Sequence, residues 1–172
     1  MTPLYPYPYV FQINVSDGGV PKLPVPDAYI GERGIEGDRQ RNFKIHGGPD
    51  RAVCLYSLEQ IQALQAEGHS IAPGLLGENI TLVGLDWAHI GLGDRVRIGE
   101  AVLLEMTSYT TPCKANAQWF SDQRFQRIWH QDYPGWSRLY ARVLCEGIVR
   151  TGDRVTLDVP LCRTEGEAVG LG

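Results

Sequence analysis

Tyr9-Val10-Phe11-Gln12-Ile13-Asn14-Val15-Ser16 sets Tyr9, Phe11, Ile13 and Val15 against Val10, Gln12, Asn14 and Ser16, an alternation of period two. Successive side chains of a strand project to opposite faces, so this is the pattern of a half-buried β-strand; a helix would repeat its apolar positions every three to four residues. The rhythm returns at Val96-Arg97-Ile98, at Leu139, Ala141, Val143 and Cys145, and at Val155-Thr156-Leu157-Asp158-Val159. Ala52 to Tyr56, Asn79 to Val83 and Ala101 to Met106 are more continuously apolar, as expected of strands covered on both faces. The tripeptide Gly-Asp-Arg occurs at 37–39, 93–95 and 152–154, and the last two each introduce an alternating strand. Such a tripeptide reads as a turn, in which glycine takes a positive φ and aspartate accepts from nearby backbone N–H groups.

Helices are few. Ser57-x-x-Gln60 has the form of a capping box, Leu58, Ile61 and Leu64 make one apolar stripe, and Gly68 is placed to end that helix. A second helix is predicted from Ser121, with Phe120 and Phe125 as a hydrophobic staple, Phe125, Ile128 and Trp129 as its buried face, and Pro134-Gly135 as its stop. The 20 glycines and 11 prolines among 172 residues also disfavour long helices. The expected fold is therefore mostly β: one domain over residues 1–160, curled into a β-barrel so that few strand edges stay open, with a few short helices and a flexible tail over 161–172. Residues 17 to 50 break the strand rhythm and read as a long functional loop.

A hydrophobic fraction of 43%, a charged fraction of 21% and a net charge of −4 describe a globular chain and argue against a surface that grips nucleic acid throughout. Apolar runs such as Ala101-Val102-Leu103-Leu104 fall far short of the roughly 20 residues that span a bilayer. The start has no basic stretch and carries Pro3, Pro6 and Pro8 where a signal sequence would be apolar, so the expected location is the cytoplasm.

The four cysteines, at 54, 113, 145 and 162, form no C-x-x-C pair, and the four histidines form no H-E-x-x-H. Gly91-Leu92-Gly93 reaches Val96 where a dinucleotide fingerprint requires glycine. Cys54 and Cys145 lie inside strand patterns and are expected to be small buried hydrophobes. Cys113 differs: Thr110-Thr111-Pro112-Cys113-Lys114 follows an apolar strand, and proline favours the first position of a helix. Cys113 would then lie in a first helical turn, where N–H dipoles and Lys114 stabilise the thiolate that a soft metal or a sulfur transfer needs. The loop from Glu36 to Arg51 gathers Arg39, Arg41, Arg51, Lys44 and His46 around Gly47-Gly48, a composition able to hold an anion, although Glu36, Asp38 and Asp50 could instead neutralise it. In Gly77-Glu78-Asn79 the asparagine reads as a turn residue or as a contact for a polar heterocycle.

The ordered set Gly37-Asp38, His46-Gly47-Gly48, Arg51-Ala52-Val53, Tyr56, Gly77-Glu78-Asn79, Gly93-Asp94, Pro112-Cys113 and Gly147 with Gly152-Asp153 resembles the MOSC domain, named for the C-terminal part of molybdenum cofactor sulfurases. The resemblance runs from about residue 10 to 159 and is nearest to stand-alone bacterial members. It implies a β-barrel and an association with the molybdenum cofactor, a pyranopterin dithiolene phosphate. It makes Cys113 the functional thiol, either a ligand to molybdenum or a persulfide carrier, and assigns Arg39, His46, Arg51 and Lys114 to the cofactor's phosphate and pterin, with Asn79 as a pterin contact. Where many members carry an arginine shortly before Pro-Cys, this sequence reads Tyr109-Thr110-Thr111, and one expected phosphate partner is missing. No pyridoxal phosphate site or iron–sulfur spacing is visible, so electrons or sulfur would come from a separate protein, an electron-donor reductase or a cysteine desulfurase. Two readings follow. One is a cofactor-dependent reductase of small N-hydroxylated substrates. The other is a non-enzymatic sulfur carrier.

Overall fold

A computed structural model describes residues 4–39 and 48–158. Eleven strands follow in chain order among them: β1 (Tyr9–Val15), β2 (Leu23–Val25), β3 (Asp27–Gly31), β4 (Gly34–Ile35), β5 (Val53–Ser57), β6 (Ile80–Val83), β7 (Arg95–Ile98), β8 (Val102–Tyr109), β9 (Leu139–Cys145), β10 (Gly147–Arg150) and β11 (Val155–Asp158). One α-helix, α1 (Leu58–Ala66), is accompanied by short 3-10 turns. The expected tail over 161–172 lies outside the described residues.

Eight strands make one sheet in the order β11-β7-β8-β9-β5-β6-β1-β2, with β5 and β6 parallel and every other pair antiparallel. β10, β3 and β4 form a second, three-stranded sheet. The mostly-β expectation holds, but neither sheet closes into a barrel. The outer edge of β1 is divided: Ile13, Asn14 and Val15 pair with β2, while Tyr9 makes a single bridge to Arg154. Around that bridge the Val10 N–H donates to the Asp153 carbonyl at 2.9 Å and the Gly152 N–H to Val10 at 2.8 Å. The curl thus brings the lead-in of β11 to the start of β1 without a ladder, and β2 and β11 remain edges. Pro24 lies in β2, and proline in a sheet is tolerated at such an edge because it donates nothing to the ladder.

The opening alternation is interrupted. A register shift between Val10 and Gln12 changes the phase of β1, so Val10 and Ile13 both enter the main core while Tyr9 packs with Leu58 and Val83 in a small satellite cluster. The shift also turns Asn14 inward, where its Nδ2 donates to Thr81 Oγ1 at 3.3 Å and its Oδ1 accepts from Gln12 at 2.6 Å. Three strands occupy the stretch read as unbroken loop. In β3 Ala28 and Ile30 alternate inward, but Pro24, Pro26, Gly31 and Gly34 hide the pattern of β2–β4. β10 was also missed, since its four residues follow β9 after one break.

The predicted first helix forms, with Leu58, Ile61 and Leu64 buried and the Gln60 N–H donating to Ser57 Oγ at 3.3 Å. Only half of the capping box is made, because the Gln60 side chain donates to the Gly135 carbonyl at 2.6 Å. Gly68, at φ 95°, ends the helix with bonds from Gly68 to Gln65 and from His69 to Leu64. The second helix does not form. Gln123 sits at φ 59°, which no α-helix accommodates, and within the segment only a 3-10 turn at Phe125–Ile128 forms, after an earlier one at Lys114–Trp119. Ile128 is still buried. Hydrogen bonds from Tyr56 Oη to Trp136 O at 2.8 Å and from Trp87 Nε1 to Ser137 O at 2.9 Å pin the returning chain to the core. No helix among the described residues is long and apolar enough to cross a membrane.

Glycine is required at Gly74, where φ is 86° and a Cβ would run into the Lys22 carbonyl and the Asn14 amide. At Gly93, φ is 87° and nothing lies within 4 Å of the same added atom. Gly93→Ala should therefore lose only the left-handed penalty, about 1–2 kcal/mol. Gly74→Ala should lose roughly twice that or more, because strain and overlap act together. Thermal melts of both variants check the order, with a drop of about 2–4 °C expected per kcal/mol for a chain of this size.

Candidate functional site

The three Gly-Asp-Arg turns share a positive φ at Gly37, Gly93 and Gly152 and then diverge. Asp94 Oδ2 accepts from the Gly91 N–H at 2.7 Å and Asp153 Oδ2 from the Arg150 N–H at 2.8 Å, the local capping expected of such turns. Asp38 instead reaches distant partners: its side chain, 5% exposed, takes Lys22 Nζ at 2.5 and 2.7 Å, the Ser16 N–H at 2.9 Å and Asn79 Nδ2 at 3.0 Å. Asn79 Oδ1 accepts from the Cys54 N–H at 3.0 Å, and the Asn79 N–H donates to the Cys54 carbonyl at 2.7 Å. The Asn79 side chain is thus committed to holding the turn after Gly37 against β5. Breaking a buried ion pair by removing one partner typically costs about 3–5 kcal/mol, so this knot fixes the floor of the site.

Two further charged side chains are buried beside it. Glu78 Oε1 accepts from the Gly74 N–H at 2.7 Å and from Thr81 Oγ1 at 3.2 Å, while Oε2 has no donor. Burial pushes the Glu78 carboxyl above its ordinary range, against the opposing pull of the Gly74 bond and the Arg138 charge. Arg138 is 6% exposed. Its Nη1 donates to the Leu76 carbonyl, and its Nε is buried with no acceptor among the described residues. The same carbonyl receives Asn116 Nδ2 at 3.4 Å, and the Asn116 N–H donates to the Cys113 carbonyl at 2.9 Å. Across the ladder, the Thr110 N–H donates to the Arg138 carbonyl at 3.0 Å. Arg138 is thereby tied to the segment that carries Cys113.

Cys113 is exposed, immediately ahead of the 3-10 turn Lys114–Trp119. The expected α-helical first turn is absent, and with six residues of 3-10 geometry no macrodipole is available to the thiol. Lys114 is exposed beside it. From the opposite wall Arg51 lays its guanidinium carbon 5.6 Å from the centroid of the Tyr140 ring. The Tyr140 hydroxyl is pushed up to about 12, first by burial, and it also feels the charges of Cys54, Arg138, Arg51 and Cys113. Cys113, Arg51 and Arg138 therefore share one neighbourhood around Tyr140, at the end of β8–β9 where Tyr109 pairs with Leu139.

Arg39 points elsewhere: it is 78% exposed and pairs with Asp17 at 3.6 Å. His46, Arg41 and Lys44 lie outside the described residues. Cys54 is buried, and its thiol is raised to about 11 by that burial, as expected of a structural cysteine. Cys145, expected to be buried, is exposed, because β9 outruns its cover and burial fades from Leu139 to Cys145. Sequence reasoning missed Arg138, Tyr140, Lys22 and Asn116. Only pairing between strands brings these together, and the one trace in the chain is an arginine placed directly before an apolar strand.

Two measurements follow from this geometry. Iodoacetamide on the native protein should modify Cys113 and Cys145 and spare Cys54, as read by peptide mass spectrometry. For Glu78, a raised folded-state pKa means that the fold keeps a proton that the unfolded chain releases. Its stabilising contribution is full below the ordinary carboxylate range and is lost as pH rises towards the raised value. Melts from about pH 4 to about pH 8 should show the wild type losing stability relative to Glu78→Gln as pH rises; a pH-independent difference would mean that the Glu78 carboxyl has the same pKa in the fold as in the unfolded chain.

Comparison with known proteins places the chain in a family. The MOSC domain model matches residues 42–156, a span that includes Arg51, Glu78, Asn79, Cys113 and Arg138. The chain is 32% identical over 141 residues to the uncharacterized protein YflK of Bacillus subtilis, covering 81% of this chain and 62% of that protein. It is 33% identical over 135 residues to YiiM of Escherichia coli, covering 76% and 56%, and 29% identical over 129 residues to a protein named reductase from Gibberella moniliformis, covering 72% and 22%. It thus spans about three fifths of the length of the first two curated relatives. The crystal structure of YiiM from Geobacillus stearothermophilus superposes with a TM-score of 0.68 at 25% identity, covering 87% of this chain and 74% of that one. With the family model matching well over half of its residues, this chain belongs to the MOSC domain family.

Proposed function

We propose that this protein binds the molybdenum cofactor beside Cys113, with the Cys113 thiolate as the protein's ligand to molybdenum, and reduces small N-hydroxylated substrates with electrons from a separate reductase. The observation that carries this reading is an exposed thiol next to Lys114 and sharing one tyrosine's surroundings with Arg51 and Arg138. A thiolate suits a soft metal, and guanidinium and ammonium groups suit the cofactor's phosphate. Among the described residues no group of three or more His, Cys, Asp or Glu side chains could hold a metal ion. A metal at Cys113 would therefore need to bring ligands of its own, as a dithiolene does. The relative named as a reductase supports the redox half of the reading.

The bound cofactor would supply the redox chemistry. The chain would hold and orient it. Cys113 stands at the surface on a segment fixed from behind by the Asn116 N–H and Nδ2 bonds, so the sulfur is accessible without being free to wander. Arg51 is half-buried, its guanidinium steadied over the Tyr140 ring.

The exposure of Cys113 also suits the second reading, a persulfide carrier charged by a cysteine desulfurase. Protein purified from a host that makes the cofactor separates the two. Approximately one molybdenum and one pterin per chain are expected for the wild type, with most of the metal lost in Cys113→Ala. Equal metal in both proteins defeats the metal-ligand reading. A gain of one sulfur atom on Cys113 after incubation with a desulfurase would then assign the carrier role.

A further inference from the structure

We propose that Arg138 is an anion-binding residue of this site, a buried seat for a phosphate monoester between the Leu76–Gly77 turn and the segment bearing Cys113. The proposal rests on the cofactor reading only for the identity of its ligand.

An arginine that serves packing alone normally has its donors satisfied, since buried polar groups without partners are rare. Arg138 does not. Of its three nitrogens only Nη1 finds an acceptor among the described residues, and Nε is buried without one. Nor is its charge paired, because no carboxylate among the described residues lies within ion-pairing distance of it. Asp38 is taken by Lys22 and Asn79; Glu78 feels the Arg138 charge, but it directs Oε1 to the Gly74 N–H and Thr81, its Oε2 makes no bond to the guanidinium, and burial favours its neutral form. A guanidinium stays protonated at any ordinary pH, so an unpaired one in the interior carries a desolvation cost that an anion would offset.

Gly77 has φ 96°, and a Cβ there would stand 3.5 Å from Arg138 Nη1 and 3.1 Å from a Val20 methyl, so the glycine lets the Leu76–Gly77 turn pack closely against the bonded side of the guanidinium and leaves Nε and Nη2 facing away from it. The Leu76 carbonyl links Arg138 to Asn116, which holds the Cys113 carbonyl. An anion on Arg138 would therefore lie on the inner side of the Cys113 segment, with Arg51 across Tyr140 as a second cation. Arg138 also stands directly across β8–β9 from Thr110, within the Thr110-Thr111 pair that occupies the place of the missing arginine. The lost positive charge before Pro112-Cys113 is supplied by the neighbouring strand. A planar fork whose Nε and Nη2 have no acceptor among the described residues is the donor pair that takes two phosphate oxygens at once.

The test uses the full chain produced without cofactor, titrated calorimetrically with inorganic phosphate and with phenyl phosphate, so that it stands whether or not Cys113 ligates molybdenum. Both probes should bind saturably to the wild type. Arg138→Gln should weaken binding about tenfold or more, the loss expected for a charge-assisted bidentate contact. Arg142→Gln, which removes an exposed arginine paired with Asp50 and Glu105, should leave it within about twofold. Absence of saturable binding, binding of inorganic phosphate but not of the monoester, or equal weakening in both variants overturns the proposal. Should Arg138→Gln fail to fold, the wild type alone decides. Phenyl phosphate should slow iodoacetamide labelling of Cys113 several-fold and leave Cys145, at the far end of β9, unchanged; equal rates with and without it at Cys113 overturn the proposal.

Discussion

The carboxylate of Asp38, clasped by Lys22 and Asn79, is the contact on which the described structure depends most. It joins three places distant in the chain: the turn after Gly37, the segment leading into β2, and the start of β6. Asn79 carries the tie into the parallel pair β5–β6 by bonding both the N–H and the carbonyl of Cys54. A parallel pair has no hairpin to set its register, so a side chain that fixes one residue of each strand has unusual leverage. Two opposite charges buried together are also intolerant of separation, since each would be left uncompensated in an apolar setting. The Lys22 N–H bond to the Gly74 carbonyl extends the same knot to the turn where a side chain has no room.

The incomplete curl of the large sheet has a related consequence. Because the outer edge of β1 is shared between β2 and the approach to β11, no continuous ladder seals it. The excursion between β8 and β9 is pinned on its return by Tyr56, Trp87 and Gln60. Arg127 reinforces that return, stacking 3.8 Å from the Trp136 ring centroid while bonding Glu67 at the end of α1. A segment with little regular structure is in this way held as firmly as a helix would be, and Cys113 rides on its outgoing limb.

Charge is distributed unevenly around that limb. The surface carries a modest net negative charge, whereas the wall behind Cys113 has Arg138 buried, Arg51 half-buried and Lys114 exposed. Burial strengthens the field of the inner cation, because less water intervenes to screen it. Three cations of graded burial thus stand around one exposed thiol.

Much of the fold was legible in the chain: period two in β1, β7, β9 and β11, the apolar runs of β5, β6 and β8, and the stripe and glycine stop of α1 are local properties, written in the order of side chains. Cys113, with proline before it and lysine after it, was legible for the same reason. The closure of the sheet, the bulge that re-phases β1, the failure of the helix after Ser121 and the burial of Arg138 were not. Each is settled by a partner far away in sequence: β2 competing with β11 for one edge, Gln123 turning where the chain must return to the core, a carbonyl at Leu76 drawing in the arginine directly before β9. Sequence by itself determined which residues prefer strand, turn or helix, because that preference resides in each backbone and its nearest side chains. Only the tertiary structure decided which Asp of three identical tripeptides would clasp a distant lysine, and which arginine would stand behind the thiol, because both outcomes depend on partners far away in the chain.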